Sequence, residues 1–542
     1  MTLRIDRRSF VLTGALGIGA FAIPGFAQVA SGLLARGFTH SVASGEPGQD
    51  SMLFWTRYVP ASGDSARLRV EVSETPDFAR IVGGGAVVTG AWRDWTAKIM
   101  VDGLKPGVRY HYRFVAPDGS FSPAGRSRTL PAGPVAQYGI AIFSCANLPF
   151  GYFNAYAHAA SRDDIDLALH LGDYFYEYKN GGYAPRGGAV GNRLPLPESE
   201  TIHLADYRLR YASYRSDPDL QALHAAKPMI VQWDDHESAN DSWEGGAENH
   251  DRDEGDWTER KAAAIQAFEE WMPVSENYWG SYDIGTLATF FRTESRLLYR
   301  TRQPEVERLL TAPDPVKALT AFRDGAWQDP AATMLGTEQE TWLGHALRTS
   351  VKSGQRWQLV GFGTILGKLV MPKDTLSMLR GETPERTRQR IQAGQIAAGL
   401  GLPFNYDSWG GYPAARARFL KSAQAAGANL LVLCGDSHNG WAFDLGQDGK
   451  PAGVEFAGHS VTSPGYETSL SADPKQLAAA LVATNDELKW CDTSRRGYMA
   501  LTLTPDQARN DWVFVDTVLQ HTPAASVGHS ATVARGRNRM SA

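Results

Sequence analysis

Four stretches of the chain share one hydrophobic pattern: a short unbroken apolar run that stops abruptly at a cluster of metal-ligand side chains. YGIAIFSC ends at Cys145, and DLALHLGDYFY carries Asp173 and Tyr176. KPMIVQWDDHESAN carries Asp234, Asp235, His236 and Asn240, and NLLVLCGDSH carries Asp436 and His438. Runs this short, bounded by polar turns, predict strands buried on both faces, as in a parallel sheet. Between them lie helical patterns: NAYAHAASR, the amphipathic WTERKAAAIQAFEEWM, and TEQETWLGHALRTS ahead of WQLVGFGT. That alternation predicts a layered α/β unit over residues 138–520. Residues 37–131 read differently. Alternating runs such as ARLRVEVS, AKIMVDGL and RYHYRFV, separated by Gly/Pro turns, predict a small antiparallel β-sandwich of fibronectin or immunoglobulin type. Leu130-Pro131-Ala132-Gly133-Pro134 marks the boundary, and residues 521–542 are expected to form a flexible tail.

Two inserts break the pattern. Gly181–Pro197 is rich in Gly and Pro and predicts a long surface loop, a candidate rim of the site. Glu244–Asp256 is acidic but lacks the ligand spacing of a calcium hand, so it reads as a solvated loop.

The N-terminus carries a different signal. Arg7-Arg8-Ser9-Phe10 runs into a Gly- and Ala-rich apolar stretch that ends near Ala27. This is the form of a twin-arginine signal peptide over residues 1–27, shorter than the ~20 apolar residues that span a bilayer. It predicts export by the twin-arginine machinery to the periplasm or beyond, with no transmembrane segment in the mature protein. Composition narrows the class further. The 542 residues are 43% hydrophobic, with a formal net charge of −5. A mildly acidic chain is a poor nucleic-acid binder, and the basic Arg535-Gly536-Arg537-Asn538-Arg539 is too short to reverse that. Three cysteines, Cys145, Cys434 and Cys491, do not make a disulfide scaffold.

The ligand types point to two unlike cations. Cys145, Asp173, Tyr176 and His438 combine a thiolate, a carboxylate, a phenolate and an imidazole. Two anionic, electron-donating ligands suit a ferric ion better than zinc. Asp173 can bridge to a second ion, for which Asp235, Asn240 and Asp436 add only oxygen; such shells favour hard ions. Adjacent Asp234 and Asp235 point to opposite sides of an extended segment, so one of them, Asp235, is expected to ligate. Metal pairs roughly 3.5–4 Å apart clamp the attacking and leaving oxygens of a phosphoryl displacement. His236, beside a ligand yet free to face the cavity, is then the natural proton donor to the leaving oxygen, with a ligand role as the alternative.

Phe143-Ser144-Cys145, His170-Leu171-Gly172-Asp173-Tyr174-x-Tyr176-Glu177-Tyr178, Trp233-Asp234-Asp235-His236-Glu237 with Asn240, and Gly435-Asp436-Ser437-His438 resemble the PhoD-type alkaline phosphatases and phosphodiesterases. Those form a branch of the calcineurin-like metallophosphoesterases. Ser41-Val42-Ala43-Ser44-Gly45 with Leu53-Phe54-Trp55-Thr56-Arg57, and Ser408-Trp409-x-Gly411-Tyr412-Pro413, resemble further segments of that family. The resemblance implies a layered αββα sandwich and hydrolysis of phosphomonoesters or phosphodiesters by a metal-bound hydroxide. It implies Fe3+ at Cys145, Asp173, Tyr176 and His438, and Ca2+ at Asp173, Asp235, Asn240 and Asp436. Candidate substrates are small phosphoesters, nucleotides and phospholipid head groups among them.

Three rivals stand beside it. A phospholipase D-like phosphodiesterase would use the same site. A serine-nucleophile phosphatase would use Ser437, although nothing in the sequence activates that hydroxyl. A non-enzymatic, metal-stabilised surface binding protein would have closed sites with no spare proton donor.

Overall fold

The computed structural model describes residues 35–541 apart from 185, 381, 382 and 384; the expected signal peptide lies outside the described residues. Strands are numbered in chain order. The four apolar runs form β8 (Tyr138–Phe143), β9 (Leu167–His170), β10 (Pro228–Val231) and β14 (Leu430–Cys434), with every residue buried. β8, β9 and β10 lie side by side and parallel, so their carboxyl ends open on one rim. β14 belongs to a second sheet, parallel to β13 (Trp357–Phe362) and β16 (Lys450–Ala457). Between the sheets sits an apolar layer that includes Ile140, Leu169, Ile230, Leu359, Leu431 and Leu433. Helices Asn154–Ser161, Leu204–Tyr214 and Trp257–Trp271 contribute to the layer that covers the outer face of the first sheet. Gly336–Lys352 and Pro413–Ala426 do the same for the second. The architecture is an αββα sandwich, an arrangement in which runs apolar on both faces stay dry.

The N-terminal region also splits into two sheets, but one of them is shared. β3 (Ser65–Ser73), β4 (Ile81–Gly90), β6 (Arg109–Val115) and β7 (Gly125–Arg128) make a separate four-stranded sheet. β1 (Gly37–Gly45), β2 (Ser51–Val59) and β5 (Thr96–Asp102) instead extend the sheet of β8, β9 and β10, because β1 pairs parallel with β10. Val42, Phe54, Leu68, Val70, Tyr112 and Phe114 fill the space between this extension and the four-stranded sheet. The sandwich is therefore built on the edge of the larger sheet rather than strung beside it.

At the other edge, the described part of the expected 521–542 tail, residues 521–541, does not fray as the sequence suggests. β18 (Gly497–Leu503) pairs with β8, and β19 (Gln507–Val515) pairs with β18. β20 (Ala525–Ala534) then pairs along its length with β19 and closes the nine-stranded order β20-β19-β18-β8-β9-β10-β1-β2-β5. Its alternating buried positions, Ala531 and Val533, explain the fit. Among the described residues no helix is long and apolar enough to cross a membrane.

The seam at β1 is a tight one. A methyl added at Gly45 would lie 2.1 Å from the Pro273 carbonyl oxygen and 3.1 Å from that of Met229. Gly45→Ala should cost about 1–3 kcal/mol. The expected result is a lower melting temperature with the spectrum of a folded protein; an unchanged melt would show that the seam yields.

Candidate active site at the carboxyl rim

The strands stop and the chain turns sharply into the site. Cys145, Asp173, Asp436 and His438 all have positive φ, between 54° and 62°. Such conformations cost non-glycine residues of the order of 1–3 kcal/mol each and persist only where surroundings enforce them. Four of the seven expected metal ligands carry this strain. Glycine makes the close approach possible: a Cβ on Gly172 would meet the Asp234 backbone nitrogen at 2.4 Å. Glu237, fully buried, staples the turns. Its carboxylate accepts backbone N–H groups from Asp173 at 3.0 Å, Tyr174 at 2.5 Å and Asp234 at 2.8 Å.

On one side of the rim lie Cys145, Asp173, Tyr176 and His438. Donor atoms of Cys145, Asp173 and His438 fall within 4.8 Å of one another. The Tyr176 hydroxyl is 3.1 Å from Asp173 Oδ2 and 2.9 Å from His438 Nε2. His438 donates Nδ1–H to the Pro464 carbonyl at 2.8 Å, which fixes the tautomer and turns the Nε2 lone pair inward. Burial pushes its pKa down to about 3, so the ring is neutral. Burial, and then the neighbouring Asp173 charge, push the Cys145 thiol and the Tyr176 phenol well above their ordinary values. Both groups therefore hold their protons until a positive charge arrives. Asp173 is also raised by burial, and its Oδ1 accepts no hydrogen bond.

The other side is crowded with carboxylates. Asp234, Asp235 and Asp436 form one close donor group, and Asp235, Asp241 and Asp407 form another. Arg296, wholly buried, sits among them. It grips Asp234 with two nitrogens, at 2.5 and 3.1 Å, and Asp407 at 2.6 Å. It lies 3.7 Å from both Asp235 and Asp436. Asp234 thus spends both oxygens on Arg296, whereas Asp235 leaves Oδ1 free of hydrogen bonds. Arg300 closes the group from below through Asp407 at 2.6 Å. Burial would raise Asp235, but Arg296 and His236 outweigh it and hold the carboxyl low. Burial and the adjoining Asp407 and Asp235 push Asp241 up to about 8. Asn240 lies at the margin. Its backbone N–H goes to Glu177 at 2.9 Å and its amide to Glu248 at 3.1 Å.

His236 stands between the two sides. Donor atoms of Asp173, Asp235 and His236 lie within 4.8 Å of one another. Nδ1–H donates to Glu177 Oε2 at 2.7 Å, and Glu177 is anchored by Asn249 and the Asn240 backbone. Burial disfavours a charged imidazole, but Asp235, Glu177 and Asp173 overcome it and lift His236 well above its ordinary pKa. These carboxylates favour the charged ring, and the Glu177 bond fixes its orientation. Ser437, by contrast, has no base: its Oγ accepts the Trp441 indole N–H at 2.7 Å.

Sequence reasoning missed Arg296, Asp241 and Asp407. Glu177 and Glu237 sit inside the ligand motifs, where an acid beside a ligand could have been read as its support. Arg296 and Asp407 lie in loops with no pattern to mark them.

Comparison with known proteins agrees with the geometry. Residues 140–512 match the PhoD-like phosphatase family, and residues 27–131 match the PhoD-like phosphatase N-terminal domain. Alkaline phosphatase D of Bacillus subtilis is 31% identical over 97% of this chain and 87% of its own. A solved structure of PhoD superposes with a TM-score of 0.76 at 29% identity, covering 94% of this chain and 93% of that one. A purple acid phosphatase from yellow lupin seeds shares the fold at a TM-score of 0.53 and 13% identity, covering 92% and 75%. The reading as a non-enzymatic binding protein falls with these matches. The αββα rim, its donor clusters and the matches along the chain together place this protein in the PhoD-like phosphatase family, as a hydrolase of phosphoric esters.

Proposed function

We propose that the protein is an exported, metal-dependent phosphoesterase that cleaves phosphomonoesters, phosphodiesters or both, with His236 as proton donor to the leaving oxygen. The observation that carries this reading is the placement of His236, its Nδ1 clamped by Glu177 at 2.7 Å and its ring beside the Asp173–Asp235 carboxylates. A donor is useful only in its charged form and within reach of the departing oxygen. Burial works against that charge, and Asp235, Glu177 and Asp173 work for it. When cations occupy Asp173 and Asp235 those carboxylates share their charge, and Glu177 still holds the Nδ1 proton.

The donor sets fit two kinds of ion. Cys145, Asp173, Tyr176 and His438 would hold Fe3+, since a thiolate and a phenolate both suit a ferric centre. Asp173, Asp235, Asn240 and Asp436 would hold Ca2+, and Asp241 is the further oxygen donor near Asp235. The orphaned Oδ1 atoms of Asp173 and Asp235 support this, because buried carboxylate oxygens without partners are costly unless a cation meets them. Bound cations would supply Lewis-acid activation of water and neutralise charge on the phosphoryl group. Export through the twin-arginine pathway rests on Arg7-Arg8 and the apolar stretch after it. A ligand role for His236 is the second reading, favoured by its place within 4.8 Å of Asp173 and Asp235.

Removing His236 separates the two readings. His236→Ala should retain both metals yet lower kcat for alkyl phosphates by roughly 10²–10⁴-fold. The loss should shrink for a nitrophenyl ester, whose leaving group needs little protonation. Metal content measured beside a leaving-group series checks this. Loss of metal with equal damage on all esters would make His236 a ligand.

The oxygen-rich side gives a second prediction. A strong chelator should abolish activity while iron stays bound, and Ca2+ should restore it. Restoration by Zn2+ alone would contradict an oxygen-only shell.

A further inference from the structure

Aromatic rings run outward from the proton donor. The His236 ring centroid lies 4.1 Å from Tyr176 and 5.5 Å from Tyr178. Tyr178 is 5.7 Å from Tyr183, and Tyr183 is 5.3 Å from Phe150. Tyr183 also lies 5.7 Å from Tyr176, and 6.5 Å from His438 with the two planes 30° apart. The rings nearest the metal-ligand candidates are buried, but Tyr178 and Phe150 are half-buried and Tyr183 is 36% exposed. This is an arc of ring faces that begins at the donor and ends in solvent.

Its placement is enforced. Arg210, fully buried, donates from all three of its nitrogens to the carbonyl oxygens of Tyr176, Tyr178, Leu196, Pro197 and Ser199, with Nη2 shared among three of them. Those carbonyls belong to the two ends of the Gly/Pro-rich insert. Arg210 thus draws the stems together, and Tyr183 projects from between them toward the rim. A buried guanidinium devoted wholly to loop backbone is costly to desolvate. An insert of no consequence would not need it.

We propose that Tyr178, Tyr183 and Phe150 form a stacking platform for the leaving group, and that the site thereby favours nucleoside phosphoesters over esters of small aliphatic alcohols. This rests on the phosphoesterase reading with His236 as donor. The departing oxygen must face His236, so the remainder of the leaving group extends along the rings contiguous with it. A nucleobase presents a planar face to such rings, and stacking of this kind tolerates any base. A glycerol unit has no face to offer.

The test compares a purine nucleoside 5′-monophosphate with glycerol 3-phosphate, each also as its methyl diester, and scores only release of the nucleoside or of glycerol. Both leave as primary alcohols, so differences in leaving-group acidity cancel. In Tyr183→Ala the nucleotide-to-glycerol ratio of kcat/KM should fall about 10-fold or more, mostly through KM. Tyr183→Phe keeps the ring and should keep the ratio. If the wild type cleaves both esters and Tyr183→Ala leaves the ratio unmoved, the platform is refuted while the phosphoesterase reading stands. The platform is refuted in the same way if Tyr183→Phe lowers the ratio as much as Tyr183→Ala. A metal-loaded wild type inert on every one of these esters would overturn the phosphoesterase reading and the platform with it.

Discussion

Concentrated and largely buried negative charge is the constraint that organises this molecule. Asp173, Asp234, Asp235, Asp241, Asp407 and Asp436 converge on one rim, where Arg296 and Arg300 lie among them and His236 is raised toward its charged form. Carboxylates so placed cannot all ionise on their own. Burial accordingly drives Asp173 and Asp436 far up, lifts Asp234 to about 6, and leaves Asp235 as the one held low. A cation among these carboxylates would relieve their repulsion.

The rest of the fold can be seen as the means of holding those groups together against their repulsion. Parallel strands from two sheets end on the same rim, and the chain leaves them through strained turns at Cys145, Asp173, Asp436 and His438. Glu237 ties three backbone N–H groups across two segments of the rim, and Arg296 bridges the segments that carry Asp234 and Asp407. The N-terminal strands matter here as well. By pairing with β10, β1 buries the edge of the strand that delivers Asp234, Asp235 and His236.

Much of this was legible in the residues because the pattern was local. An unbroken run such as IAIFSC or LLVLCGD combines strand and ligand within a few positions, so β8 and β14 and their functional ends could be read together. Tyr176 was legible for the same reason, three residues beyond Asp173. Arg296 and Asp407 were not, since their importance comes from tertiary proximity across more than a hundred residues. Alternation along an extended segment favours Asp235 over Asp234 as the available carboxylate; the structure adds Arg296, which occupies both oxygens of Asp234. The joining of β1 to β10 had no sequence signal either, because a strand's pattern reports its burial and not its neighbour. β20 is hidden by its Ser, Gly and His content. Its apolar residues alternate too sparsely to stand out beside a basic terminus.

The central claim is that these residues form a two-metal site with a soft, electron-donating side and a hard, oxygen-rich side. Anomalous diffraction from crystals of the protein, recorded on both sides of the iron absorption edge, addresses it most directly. The account predicts an iron peak within bonding distance of Cys145 Sγ, Tyr176 Oη and His438 Nε2. It also predicts a second density, without an iron edge, against Asp235 and Asp436. A zinc edge at the Cys145 position, or an iron peak bonded to neither Cys145 nor Tyr176, would contradict it.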